Sequence, residues 1–239
     1  MDQVEDLHDF WRQESPDDNF FVAVDANLRS GTIVTALQGH IDQQSSILEV
    51  GCNVGRNLNH LYRMGYRNLA GVEINPHAVA RLRESYPHLA DVPILNGPAE
   101  EMLPTLADNS YDVVFTMAVL EHIHPDSARV YGEIARVAKR CVLAIEPRVE
   151  AKNVSHRQHP WDVPAEYAKY GLTPARRIRW SDLWSMPRIP ANYWHPSFDK
   201  FDAIVFVPEA PKPRSSSTPR ALAGKVRRRV RSVARRFRN

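Results

Sequence analysis

The most constraining feature of this sequence is a glycine-bearing turn, EVGCNVG, at residues 49–55. The apolar run SILEV at residues 46–50 predicts a buried strand before the turn, and residues 57–64 follow it with a helical pattern. Gly51 and Gly55 suit a tight connection from strand to helix, because glycine lets the backbone approach a ligand closely. The free N–H groups at the start of the following helix attract a carboxylate or phosphate. The turn therefore predicts a ligand site at the end of a strand.

The same alternation of strand and helix continues along the chain. Parallel strands are predicted at residues 46–50, 68–73, 92–96, 111–119 and 141–146, with helices at 57–64, 99–106 and 127–139 and another opening at Asn75-Pro76. Two later apolar runs, residues 172–180 and 201–207, predict an antiparallel strand pair at the sheet edge. We therefore expect an α/β, Rossmann-like fold with a seven-stranded, mostly parallel sheet and helices on both faces.

Composition divides the chain into three parts. Residues 1–45 contain two helical stretches, 2–13 and 20–37, which we expect to form a lid over the ligand site. Residues 46–208 form the α/β domain, and residues 209–239 combine a Pro/Ser-rich linker with a basic tail. From Lys212 onward there are eleven Lys or Arg and no Asp or Glu, which leaves 20 basic against 28 acidic residues in the rest of the chain. Such an asymmetry indicates that the tail has a partner of its own.

The tail repeats apolar residues at helical spacing among its arginines. A basic amphipathic helix over residues 220–239 is typical of binding to an anionic membrane surface. An arginine-rich arm that folds on RNA is a less favoured alternative, and a solvated tail is the third. The acidic N-terminus lacks a signal-peptide pattern and the two cysteines imply no disulfide framework, so we expect a cytoplasmic protein. Under the membrane interpretation, it binds peripherally at the inner face.

Acidic residues at the predicted strand ends indicate the kind of ligand. The dinucleotide pattern G-x-G-x-x-G fails here, because Asn53 and Arg56 occupy its second and third glycine positions. Glu49 would repel a pyrophosphate but attract a cationic α-amino group. Glu73 ends the second strand and can accept hydrogen bonds from two ribose hydroxyls.

Two further motifs follow the third and fourth predicted strands. They are Asn96–Glu100 (NGPAE) and Thr116–His122 (TMAVLEH), both at carboxyl ends of strands, where open α/β sheets bind ligands. Taken in order with Glu49–Gly55 and Glu73, they resemble the successive motifs of class I S-adenosylmethionine (SAM)-dependent methyltransferases. The resemblance covers about residues 46–146 and implies SAM as the cofactor.

The resemblance also implies roles for individual residues. The methionine end of SAM would lie at Glu49 and the glycine turn, the ribose at Glu73, and the adenine near Ala99 and Glu100. The full set of implied cofactor-binding residues is Glu49, Gly51, Asn53, Gly55, Glu73, Ile74, Ala99, Glu100, Thr116 and Met117. The chain departs from the pattern at Asn53, where glycine is usual, and at Pro98, where an aspartate is common. Asn tolerates left-handed backbone, and Glu100 could replace the missing adenine partner.

The form GCNVGRNL is similar to methyltransferases associated with sugar biosynthesis, such as the pseudaminic acid biosynthesis-associated methylases. This closer similarity rests on Asn53, Asn57 and the Phe10-Trp11 pair. It implies O-methylation of a saccharide, a lipid-linked glycan or another small-molecule hydroxyl. An RNA methyltransferase anchored by the tail is an alternative, weakened by the acidic body and by TMAV at 116–119 in place of an N-P-P-Y-type motif. A SAM-binding module without catalysis is another.

Histidines are the candidate catalytic bases, because a hydroxyl acceptor must lose its proton and histidine titrates near neutrality. His122 and His124 follow the fourth predicted strand, and His122 is slightly favoured. The candidate acceptor-binding residues are His156, His159, Trp161 and Trp194. The pair at 156 and 159 lacks a clear third ligand, so we expect no metal.

Overall fold

The computed structural model describes residues 3–13, 27–148, 157–179 and 200–209. Several predicted features lie outside these residues: the basic tail with its linker, the start of the second N-terminal helix, and the side chains of His156 and Trp194. No helix in the described residues is both long and apolar enough to span a membrane.

A seven-stranded sheet forms the centre of the fold, in the order β3-β2-β1-β4-β5-β7-β6. The strands are β1 Ile47–Val50, β2 Leu69–Glu73, β3 Ile94–Asn96, β4 Tyr111–Met117, β5 Ala138–Pro147, β6 Leu172–Arg179 and β7 Phe201–Pro208. Strands β1 to β5 pair in parallel, and β7 pairs antiparallel with both β5 and β6. The predicted mostly parallel sheet and its closing antiparallel pair are both confirmed.

Helices cover both faces of the sheet. They are α1 Gln3–Arg12, α2 Asn27–Ala36, α3 Arg56–Arg63, α4 Pro76–Ser85, α5 Ala99–Met102, α6 Arg129–Val137 and α7 Val163–Ala168. One core packs side chains of α6 and α7 against the face that carries Leu48 and Val114. The other packs α2, α3 and α4 against the face that carries Ile47 and Phe115. Successive strand residues point to opposite faces, so strands buried on both sides are apolar throughout.

Local sequence explains most helix boundaries. The side chain of Asn75 accepts hydrogen bonds from the backbone N–H groups of His77 and Ala78 and so caps α4, with Pro76 at its first position. The predicted end of the sixth helix at residue 139 is wrong. Here α6 stops at Val137, because Ala138 already pairs with β4 as the first residue of β5. Tertiary strand pairing therefore overrides a helical pattern that contains no stop signal.

Candidate active site

A cavity of about 320 Å³ opens at the carboxyl ends of the central strands. The structure brings eight of the ten residues predicted to bind the cofactor to its wall: Glu49, Gly51, Asn53, Glu73, Ile74, Ala99, Glu100 and Met117. The other two lie elsewhere. Gly55 caps α3 in a left-handed conformation and packs against Leu82, while Thr116 is fully buried inside the sheet between β1 and β5.

Glu49 places a buried carboxylate at the end of β1, with 2% of its surface exposed. Its Oε1 accepts a hydrogen bond of 2.7 Å from Asn57 Nδ2, and Asn57 in turn accepts one from the hydroxyl of Ser30. Oε2 is buried and has no hydrogen-bond partner among the described residues. Burial raises the pKa of Glu49 to about 8, against the favourable contact with Asn57. The site therefore presents a carboxyl group that a cationic ligand would ionise and satisfy.

Glu73 and Asn53 lock the turn after β1 to the end of β2. Asn53 adopts a positive φ of 48°, as expected for a residue that replaces glycine here. Its backbone N–H donates to Glu73 Oε2 at 2.6 Å, and the N–H of Asn75 donates to Oε1 at 2.9 Å. Each carboxylate oxygen has a second lone pair, so both remain able to accept from ribose hydroxyls. Burial raises the pKa of Glu73.

The predicted adenine end of the cavity meets the N-terminal helix. Glu100 accepts a hydrogen bond of 3.3 Å from His8 Nε2 of α1, a residue 92 positions away in sequence. This bond raises the pKa of His8 against the effect of burial. Glu100 shows the opposite balance: burial raises its pKa, but the bond from His8 and further contacts give a net downward shift. The carboxylate assigned to adenine recognition is therefore already paired with a side chain of α1.

Helix α1 forms one wall of the cavity through Leu7, His8 and Trp11. The Asn75 side chain donates to the backbone oxygens of Trp11 and Gln13 and so fixes the end of this helix beside β2. These contacts put the N-terminal segment where a lid would lie. That it opens and closes remains a prediction.

The two candidate bases differ in their surroundings. His122 lines the cavity and packs against Trp11 with 4.5 Å between ring centroids and an angle of 58° between the ring planes. Its Nδ1 lies 2.8 Å from the backbone oxygen of Arg157. A carbonyl only accepts hydrogen bonds, so Nδ1 carries the proton and Nε2 of the neutral ring is the proton acceptor.

His124 does not line the cavity. Its Nδ1 accepts from the backbone N–H of Asp126, its Nε2 lies 3.3 Å from Gln3 Oε1, and its ring packs edge-on against His159. These contacts indicate that His124 packs outside the cavity wall. Of the two candidate bases, His122 is therefore the better placed.

The other predicted acceptor residues that the structure describes, His159 and Trp161, also lie away from this cavity. Trp161 donates to the backbone oxygen of Ile123, packs on Tyr131 and lines a separate cavity of about 210 Å³. His159 donates from its backbone to Glu121. The described residues contain no cluster of three or more His, Cys, Asp or Glu that could hold a metal ion.

Two arginines on the cavity wall were missed by the sequence analysis. Arg29 of α2 and Arg56, the first residue of α3, both line the cavity, and the charge of Arg56 acts on Glu49. Burial and the charge of Arg56 lower the pKa of Arg29 to about 10. Arg56 directly follows the glycine turn, so its position was a usable signal. Arg29 lies in a different helix, and no motif in the sequence relates its position to the glycine turn.

Parts of this chain are similar to known proteins. Residues 48–144 match the family model described as a methyltransferase domain. Cycloartenol-C-24-methyltransferase 1 of Oryza sativa subsp. japonica is 27% identical over 134 residues, which are 52% of this chain and 38% of that protein. The 2-methyl-6-phytyl-1,4-hydroquinone methyltransferase of Synechocystis is 32% identical over 95 residues, 40% of this chain and 29% of that protein. The chain thus spans well under half of either relative's length.

Solved structures show the same fold. Geranyl diphosphate C-methyltransferase from Streptomyces coelicolor A3(2), in complex with Mg²⁺, geranyl diphosphate and S-adenosyl-L-homocysteine, superposes with a TM-score of 0.62 at 10% identity. The match covers 87% of this chain and 98% of that one. The fold is that of the class I methyltransferases, and residues 48–144 match the model of a methyltransferase domain. SAM is the cofactor of that class.

Proposed function

We propose that this protein transfers the methyl group of SAM to a hydroxyl of a small-molecule acceptor. The observation that carries the proposal is the unpaired Oε2 of Glu49 in a cavity that also contains arginine side chains. The α-amino acid part of SAM has an ammonium and a carboxylate. A buried carboxylate and a guanidinium in one pocket complement those two charges.

Residues around the cavity would divide the cofactor between them. Glu49 would hold the ammonium and Arg29 the carboxylate, since both line the cavity and carry the complementary charges. Glu73 would accept from the ribose, and the backbone at Ala99 would border the adenine. Leu7 and Trp11 of α1 would exclude water from the bound cofactor.

When bound, SAM supplies a methyl group already activated by the sulfonium. The remaining task for the protein is to orient the acceptor and take its proton. His122 is suited to that task, because its bond to the Arg157 carbonyl places the proton of the neutral ring on Nδ1 and leaves Nε2, 3.8 Å from Glu121 Oε1, as the basic nitrogen. Its contact with Trp11 fixes the plane of the ring.

The acceptor is expected to have an apolar portion. The apolar side chains that line the cavity include Leu7, Met117, Ile123, Ile145 and Phe201. Both curated relatives are named for acceptors with large hydrocarbon parts, a sterol and a phytyl hydroquinone. The saccharide inferred from the sequence remains a prediction and loses the support of Trp161. A lipid-linked glycan suits these walls better than a bare sugar.

Calorimetric titration of the purified protein with S-adenosylhomocysteine and, separately, with NAD tests the cofactor. We expect micromolar binding of the former and none of the latter, because a pyrophosphate has no ammonium group to satisfy the buried Glu49 carboxyl group. Labelled methyl transfer to phenolic and lipid-linked hydroxyl acceptors then tests the reaction. Binding of NAD in place of the adenosyl ligand contradicts the proposal.

Replacement of His122 by Gln should lower the rate of methyl transfer by about 10²–10⁴-fold, the usual contribution of a general base. Affinity for S-adenosylhomocysteine should change little. His124→Gln is the matched control, since that ring lies two residues away but outside the cavity wall, and it should retain most of the activity. Equal rates in the two variants would remove His122 from the mechanism.

A further inference from the structure

The cavity continues beyond the cofactor residues, toward β4, β5 and β7. Its walls there include Met117 at the end of β4, Ile145 near the end of β5 and Phe201 at the start of β7. In the sheet order, β4 and β5 lie on the side of β1 that faces away from β2. If β2 holds the ribose and β1 the methionine end, as the proposed function requires, this part of the cavity holds the acceptor.

Arg56 brings a positive charge to that part. Its Nη2 lies 3.6 Å from the Sδ of Met117, and its Nε is buried without a hydrogen-bond partner. Within the described residues, no carboxylate lies within ion-pair distance of Arg56. Burial lowers the pKa of Arg56, and the charge of Glu49 acts in the opposite direction. Arg56 as a whole is half-buried, and its Nε atom is inaccessible to solvent. A thioether is only a weak acceptor, and a guanidinium with a desolvated N–H is normally paired with a carboxylate or phosphate.

Neighbouring charges do not replace that missing partner. Glu49 attracts Arg56 through space, but its raised pKa of about 8 leaves it largely protonated at neutral pH before a cationic ligand binds. Arg29 adds a second positive charge, and Arg56 is one cause of its lowered pKa. A carboxylate or phosphate of a ligand would satisfy the Arg56 guanidinium in this arrangement, because either provides two acceptor oxygens and a negative charge.

We propose that Arg56 binds a carboxylate or phosphate group of the methyl acceptor, which is therefore an amphipathic anion with its apolar part against Met117, Ile145 and Phe201. The assignment rests on the proposed function, because it needs the cofactor to lie on the β2 side of the cavity. A guanidinium matches either anion through two parallel hydrogen bonds.

Binding to the full-length protein saturated with S-adenosylhomocysteine tests the proposal. The probes are benzoate, phenyl phosphate and benzyl alcohol, which share an aromatic ring and differ in charge. We expect at least one anion to bind tenfold or more tightly than the alcohol, the usual effect of a charge-assisted hydrogen bond. Preference for benzoate over phenyl phosphate, or the reverse, identifies the anionic group.

Arg56→Gln should abolish the preference for the anion, and Arg56→Lys should retain part of it. Arg29→Gln is the matched control: it should weaken binding of S-adenosylhomocysteine but keep the preference for the anionic probe. Thermal unfolding of each variant separates a local effect from loss of the fold.

Three results would overturn the proposal. The first is equal binding of all three probes, or binding of none at millimolar concentration. The second is an anion preference that survives in Arg56→Gln. The third is competition between the anions and S-adenosylhomocysteine, which would assign Arg56 to the cofactor carboxylate and leave the proposed function intact. A wild-type protein that fails to bind S-adenosylhomocysteine before any probe is added contradicts the proposed function itself.

Discussion

Replacement of Gly51 by Ala is expected to lower the free energy of unfolding by about 2–4 kcal/mol and to weaken cofactor binding. Gly51 has a φ of 74°, in the left-handed region that costs an L-residue about 1–2 kcal/mol. A β-carbon at this position would also overlap the Cγ2 atom of Val119. Because Gly51 lines the cavity, the backbone shift that relieves the overlap should move the cavity wall that we propose for the methionine end of SAM.

A second glycine separates the two causes. Gly171 has nearly the same φ, 72°, but a β-carbon there would meet no atom within 4 Å. Gly171→Ala should therefore cost only about 1–2 kcal/mol and leave cofactor affinity unchanged. Urea unfolding of both variants measures the difference. If the two variants lose equal stability, Val119 rotates away at no cost and the packing explanation fails.

A double-mutant cycle tests the overlap directly. In the Gly51→Ala background, Val119→Ala removes the obstructing methyl groups and should recover the part of the loss that exceeds the Gly171 control. The same substitution in the wild-type background measures the packing contribution of Val119 by itself. No coupling between the two positions would mean that strain in φ accounts for the whole effect.

The elements of the fold that could be predicted are those whose signal is local. The first three strands are apolar runs that stop at a polar or glycine residue, so Glu49 and Glu73 could be assigned to the same sheet edge. The left-handed conformation of Asn53 also follows from residue type. Such features depend on the period of hydrophobicity and on backbone preferences, which are present in the sequence itself.

Contacts between distant segments could not be predicted in this way. Ser30 orients Asn57 across 27 positions, and His8 meets Glu100 across 92. No periodic pattern records such a pairing. Aromatic residues cluster near Trp161 in the sequence, which predicts a role in acceptor binding. In the structure, its indole N–H instead donates to the backbone oxygen of Ile123. An aromatic side chain with a polar atom serves packing as well as binding, and sequence does not distinguish the two.

Glu49→Gln is expected to have the largest effect on cofactor binding. The amide keeps the size of the side chain and can still accept from Asn57, but it cannot form an ion pair with the ammonium. We expect affinity for S-adenosylhomocysteine to fall by about ten- to a hundredfold, the range for a hydrogen bond to a charged group. Asp42→Asn is a control, since that carboxylate lies in an exposed turn and bonds only to its neighbours Gln44 and Ser45.

Binding by the wild-type protein should depend on pH in a defined direction. With a pKa of about 8 in the empty protein, Glu49 is mostly protonated at neutral pH, so it must release its proton when the ammonium binds. Affinity for S-adenosylhomocysteine should therefore rise as the pH increases toward 8. Calorimetry in buffers of different ionisation enthalpy should detect proton release at neutral pH. Glu49→Gln should show neither effect, and proton release that persists in this variant would assign it to another group.

Glu49→Gln should stabilise the folded protein at alkaline pH, although it weakens cofactor binding. In the folded, empty protein the pKa of Glu49 is raised from 4.5 to about 8, so between these values the folded state holds a proton that the unfolded state has lost. This contribution to stability is complete below the unfolded pKa and is lost as the pH rises through the folded one. Above pH 8 the wild-type protein buries a charged carboxylate, whereas Glu49→Gln does not. The variant should thus unfold at higher temperature than the wild type at alkaline pH, although it binds the cofactor less well. If Glu49→Gln unfolds at a lower temperature than the wild type at alkaline pH, the Glu49 carboxylate is needed for the fold itself.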